Sequence, residues 1–187
     1  MEASSIARAT LSDSPEAPIT LLVDFGRART GIAVVKRGVP IFTSTVDVGG
    51  DALSAAAVKL LSLSPEAAQT FRNTQGLAPA GPGKKPSEAM AGVASALADE
   101  IARFYQYWDT RRSDSGQRLT QVGEIVLVGG SANLRGLPGY VATRVQAPAS
   151  LGSIWRHVCD TEEYIPPIDA RASLQFATAA GLALRGM

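Results

Sequence analysis

The sequence predicts an α/β fold in which a mixed sheet, antiparallel at its start, is flanked by helices. Three observations carry this. Residues 20–24 (TLLVD), 30–36 and 39–46 are short apolar or β-branched runs joined by two short turns, the pattern of an antiparallel meander. After Gly49-Gly50 the apolar spacing lengthens to that of helices. A later apolar run, 124–128 (EIVLV), passes directly into Gly129-Gly130-Ser131 and reads as another buried strand.

The elements follow in order. The first strand ends at Asp24, a tight connection with Gly26 leads to the second, and Arg37-Gly38 marks the next turn. Leu53, Ala56, Ala57, Leu60 and Leu61 then recur at helical spacing, with Asp51 placed to cap the helix start. Ser64-Pro65-Glu66 opens a further helix with a capping hydroxyl, a proline at the first helical position and an acid in the first turn. That helix should stop before Gly76. The stretch 78–86 (APAGPGKKP) reads as a loop, after which Ser87 caps a long helix. Val93, Leu97, Ile101, Phe104 and Trp108 share one face of it, and Arg111 and Arg112 suit the negative pole at its end. Pro138 opens a helix carrying Val141 and Val145, and 146–167 reads as irregular. Asp169 caps a last helix over 170–185, where Ala177, Ala180 and Gly181 permit close backbone approach.

Composition narrows the function. With 187 residues, a formal net charge of +1 and 45% hydrophobic residues, the chain has an ordinary globular balance and no basic footprint for nucleic acid. No apolar run reaches the roughly 20 residues needed to span a bilayer. The single cysteine, Cys159, rules out an internal disulfide framework. His157 and Cys159 form a pair capable of metal ligation, but no second pair stands at zinc-like spacing, so an incidental pair is the better reading.

Two glycine-bearing turns are the candidate site. The first is 24–30 (DFGRART). Asp24, at a strand end, suits a hydrated Mg²⁺ held through water, since Mg²⁺ keeps several waters and uses few carboxylates. Gly26 lets backbone approach a phosphate, the amides around Arg29 could form an anion-binding concavity, and Thr30 offers a hydroxyl. The same residues equally suit a hairpin in which Asp and Gly serve only the turn. The second turn, Gly129-Gly130-Ser131-Ala132, lets a flat ligand lie against backbone; it also suits a strand-to-helix turn needing positive φ.

Taken together, a strand with a D-x-G hairpin followed much later by an apolar strand with Gly-Gly-Ser-Ala resembles the actin, sugar kinase and heat-shock chaperone superfamily. Within it, 42–52 (FTSTVDVGGDA), 63–77 (LSPEAAQTFRNTQGL), 125–140 (IVLVGGSANLRGLPGY) and 179–185 (AAGLALR) resemble the type IV pilus assembly family PilM. The resemblance implies a ribonuclease H-like, actin-type ATPase domain in which the first turn is a phosphate loop and the second holds adenosine. It implies ATP and Mg²⁺ as cofactors, with Asp24 as the metal-facing residue. The family carries Glu and, three residues on, Lys near the ribose and base; here Gln69 and Arg72 stand there, a neutral partner and a cation of different geometry.

The resemblance further implies that residues 1–18 are a linker or crossover and 19–187 the second half of the fold, with 49–122 as a helical subdomain insert. Only one D-x-G hairpin occurs, so weak ATP binding without measurable hydrolysis is expected of this chain alone. The implied setting is a scaffold of type IV pilus assembly, cytoplasmic and peripheral to the inner membrane. Its implied partner is a PilN-like inner-membrane protein whose short segment docks on the other half. Alternatives are a nucleotide-free interaction module that self-associates through its sheet or helices, and a small-molecule kinase of the same superfamily.

Overall fold

The computed structural model describes residues 2–77, 88–112, 114–117, 120–160 and 162–186. The loop at 78–86 and the Ser87 cap lie outside the described residues. The order is α1 (Glu2–Thr10), β1 (Ile19–Phe25), β2 (Thr30–Lys36), β3 (Val39–Val46), α2 (Gly50–Leu61), α3 (Pro65–Thr74) and α4 (Glu88–Asp109). There follow β4 (Val122–Val128), α5 (Leu137–Val145), β5 (Ala149–Leu151), α6 (Ala170–Ser173) and α7 (Ala177–Ala183).

The sheet runs β3-β2-β1-β4-β5. β1, β2 and β3 form the antiparallel meander, while β1 pairs parallel with β4 and β4 with β5. Leu21–Val23 and Ile125–Val128 are buried on both faces, as central parallel strands require, because helices cover both sides. On one side Phe42 of β3 packs its ring against Phe104 and Trp108 of α4, with centroids 5.7 and 5.2 Å apart. On the other, Glu2, Ala3 and Ile6 of α1 face Leu22, Asp24, Thr43 and Thr45 across a cavity of about 220 Å³.

Local signals set two of the helix starts. The Ser64 hydroxyl accepts from the Ala67 amide at 3.2 Å, with Pro65 in the first turn of α3. Asp169 accepts from the Arg171 and Ala172 amides, both at 2.8 Å. On α4, Leu97 and Ile101 are fully buried, and Arg111 stacks on Trp108 with its guanidinium 4.8 Å from the ring centroid.

Three expectations need correction. Asp51 does not cap α2; Gly49 occupies the cap position with no side-chain bond, and the Gly50 and Asp51 amides donate to the carbonyls of Gly26 (3.0 Å) and Arg27 (2.8 Å). The stretch read as irregular contains β5, whose three residues are too few to show a period. The last helix is not continuous: a 3-10 turn, Leu174–Phe176, separates α6 from α7.

α7 holds α1 by backbone proximity. A Cβ at Gly181 would overlap the Ser5 carbonyl group, and Arg8 Nη1 donates to the Gly181 carbonyl at 2.7 Å. By contrast, Gly92, on the exposed face of α4, has nothing within 4 Å of its would-be Cβ. Gly181→Ala is therefore expected to lower stability by about 1–3 kcal/mol in urea unfolding. In the same assay Gly92→Ala should raise it by about 0.5–1 kcal/mol.

Candidate functional site

The parallel register of β1 and β4 sets Asp24 opposite Val128, so both strands end at one edge and the turns after them open side by side. Gly129 joins them. Its φ of 89° with ψ of 156° is a backbone region that side chains rarely adopt. A Cβ there would sit 2.5 Å from Asp24 Oδ1 and 2.6 Å from the Phe25 carbonyl oxygen. Gly130 carries no such constraint: its φ lies outside the left-handed region, and a Cβ would meet only Gln175 Cβ at 3.4 Å. The two neighbouring glycines thus divide the work, Gly129 for the turn and Gly130 for an open backbone surface.

A cleft of about 470 Å³ lies over this junction. Asp24 and Gly26 line it from the first turn, Gly129, Gly130 and Ser131 from the second, and Gln69 and Arg72 from α3. Two of the expected residues are elsewhere. Thr30 is 0% exposed and its hydroxyl donates to the Val48 carbonyl at 2.6 Å. Register explains it: Thr30 pairs with Phe25 and Gly31 with Asp24, so the Thr30 side chain takes the sheet face opposite Asp24. Arg29 is exposed and does not line the cleft; its carbonyl accepts the Gly26 N–H at 3.1 Å. That amide also reaches the Asp24 carbonyl at 3.0 Å, so it serves the turn itself.

Gly50, Ser54 and Arg72 tie α2 and α3 to the second turn. Gly50, at the start of α2, is pressed against the Ser131 side chain, and a Cβ would lie 3.1 Å from Arg72 Nη2. Arg72 Nη1 donates to the Gly50 carbonyl (3.3 Å) and to the Ser54 hydroxyl (2.9 Å). Arg72 is only 8% exposed, and its Nε has no hydrogen-bond partner. Burial pulls its guanidinium below the usual arginine value, and the charge of Asp51 partly opposes this. Behind it, the Arg72 carbonyl accepts the Arg135 amide at 3.0 Å, tying α3 to the loop after β4. The remaining wall comes from Glu2, Gln175 and Thr178, residues far from either glycine turn in sequence.

The Asp24 carboxylate makes no hydrogen bond or ion pair among the described residues. Partial burial raises its carboxyl above the ordinary value, and the nearby charge of Glu2 adds to the rise. An anion in this position opposes folding unless a cation joins it.

These features give two expectations. Gly129→Ala should cost about 2 kcal/mol or more through strain and overlap with Asp24, while Gly130→Ala stays within about 0.5 kcal/mol by chemical unfolding. Asp24→Asn should melt higher than wild type at pH 7 in buffer without metal or nucleotide. Because the folded carboxyl titrates above the unfolded one, the destabilisation grows as pH rises from the unfolded value through the folded one. The Asn advantage should therefore shrink toward about pH 4.

Comparison with known proteins agrees with this architecture. A family model described as type IV pilus assembly protein PilM matches residues 1–187. No curated protein matches the chain. Among solved structures, a PilM-PilN type IV pilus biogenesis complex is similar at a TM-score of 0.71 and 21% identity, over 99% of this chain and 48% of that one. MreB 5 of Spiroplasma citri bound to AMPPNP aligns at 0.64 and 13% identity, over 99% of this chain and 57% of that one. The ethanolamine utilization protein EutJ from Carboxydothermus hydrogenoformans aligns at 0.60 and 19%, over 99% and 53%. The chain thus spans about half the length of the structures it matches. With the mixed sheet and its helices shared by these neighbours and the family model covering every residue, the chain belongs to the type IV pilus assembly protein PilM family and has the actin-like ATPase fold.

Proposed function

We propose that residues 19–187 form the nucleotide-facing second half of a type IV pilus assembly scaffold. In this reading the chain takes ATP in the cleft between its two glycine turns, with 49–122 as its helical insert and 1–18 as the crossover. The convergence of Asp24, Gly130 and Ser131 at the carboxyl ends of adjacent parallel strands supports this most directly. The residues present fit the ligand in kind. Gly130 offers backbone without a side chain in the way, Arg72 holds an unpartnered buried donor, and Asp24 is an unpaired carboxylate. Asp24 would hold Mg²⁺ through water, and the ion would supply neutralising charge for the phosphates.

The likeness to a PilM-PilN complex makes a PilN-like inner-membrane protein the proposed partner, and the cytoplasmic side of that membrane the proposed location. Among the described residues no helix is long and apolar enough to cross a membrane. Binding by this chain alone should be weak and turnover negligible, because a cleft open to water weakens every electrostatic contact in it.

One set of observations favours a nucleotide-free interaction module instead. The Gly26 amide and the Thr30 hydroxyl are both bonded within the fold, and Gln69 brings no charge to the cleft. A thermal melt with Mg-ATP separates the two readings. A ligand present at ten times its Kd adds about 1.4 kcal/mol, a rise of roughly 3–6 °C for a domain of this size. The rise should be lost in Asp24→Ala. An unchanged melting temperature up to millimolar Mg-ATP would decide for the nucleotide-free module.

A further inference from the structure

We propose that the wall formed by Gln69 and Arg72 selects nucleotides bearing an additional phosphate on a ribose hydroxyl. This inference rests on the nucleotide reading of the cleft and changes which nucleotide the cleft prefers, from one with free ribose hydroxyls such as ATP to one phosphorylated there.

The guanidinium of Arg72 sits between the two turns. On one side it donates to the carbonyl of Gly50, whose own amide is bonded to the Gly26 carbonyl in the first turn. On the other, Gly50 is in contact with the Ser131 side chain, so Arg72 lies beside the second turn as well. A nucleotide with its 5′-phosphates at the first turn and its base on Gly129–Ser131 therefore brings its sugar past Arg72.

The charge at this point is uncompensated. Arg72 is 92% buried by difference from its 8% exposure, its hydrogen-bond acceptors are neutral, and no carboxylate lies within ion-pair distance among the described residues. Asp51 acts on it only at longer range and is itself paired with Arg27 at 3.6 Å. Gln69, one helical turn before Arg72 on α3, occupies the place from which a carboxylate would balance the cation and is neutral. A buried cation with an orphaned donor is costly until an anion reaches it.

Dinucleotide-binding proteins show what this charge arrangement does. An acidic residue at the sugar hydrogen-bonds free ribose hydroxyls, whereas an arginine accommodates a phosphate in their place. Gln69 with Arg72 is the second arrangement: Arg72 lines the cleft, so a phosphate placed there would meet the charge of its guanidinium.

Calorimetry tests this with four ligands: ADP, AMP, adenosine 2′,5′-bisphosphate and adenosine 3′,5′-bisphosphate. One of the bisphosphates should bind about tenfold or more tighter than AMP, the gain of a charge-assisted hydrogen bond. Gln69→Glu, an exposed change that leaves the Arg72 contacts in place, should cancel that preference. Arg72→Gln should do the same if it folds. Equal affinity for AMP and both bisphosphates, with ADP binding retained, would overturn the ribose-phosphate proposal and leave the nucleotide reading standing. A bisphosphate preference that survives Gln69→Glu would also overturn it. No binding of any of the four would remove both.

Discussion

Everything at the candidate site depends on the parallel pairing of β1 with β4. Had the two strands run antiparallel, the turn after Asp24 and the turn after Val128 would open at opposite edges of the sheet. Parallel pairing demands burial on both faces, and the uninterrupted apolar runs of the two strands meet that demand with α1 on one side of the sheet and α4 on the other. The cleft is thus a by-product of sheet topology, and its chemistry was added by the few residues that follow each strand.

Three glycines then let backbone approach backbone closely enough for the turns to share a wall. Gly129 accepts a conformation and a proximity to Asp24 that no side chain tolerates, and Gly49 and Gly50 seat the start of α2 on the first turn and on Ser131. Arg72 reaches into the same knot from α3, so two strand ends and two helices meet within a few residues. The resulting arrangement is strained electrostatically: a carboxylate raised by burial stands in the same cleft as a buried guanidinium with an empty donor. Sites that hold charge at a cost to the free fold are often those that bind something.

What the sequence made legible was whatever is encoded locally. The meander, the Ser64 and Asp169 caps, the buried face of α4 and the close approach at Gly181 each follow from neighbouring residues or a simple period, and each is present. Seven of the nine residues singled out for the site line one cleft: Asp24, Gly26, Gln69, Arg72, Gly129, Gly130 and Ser131. Thr30 failed on parity, because one step along a strand turns a side chain to the other face. Asp51 failed because the carbonyls that satisfy the start of α2 come from a turn some distance back in the chain. β5 is too short to leave a pattern, and Glu2, Gln175 and Thr178 reach the cleft only through tertiary packing.

The seating of α2 on that first turn has one more consequence. Helix beginnings usually present free amides and a partial positive pole to an incoming anion. Here the Gly50, Asp51 and Ala52 amides are already saturated by the carbonyls of Gly26, Arg27 and Gly49. Attraction for a charged visitor must come instead from side chains such as the solvent-facing Arg27, which counterions shield readily. Capture at this mouth should accordingly weaken as ionic strength rises, unlike capture by a fixed backbone cradle.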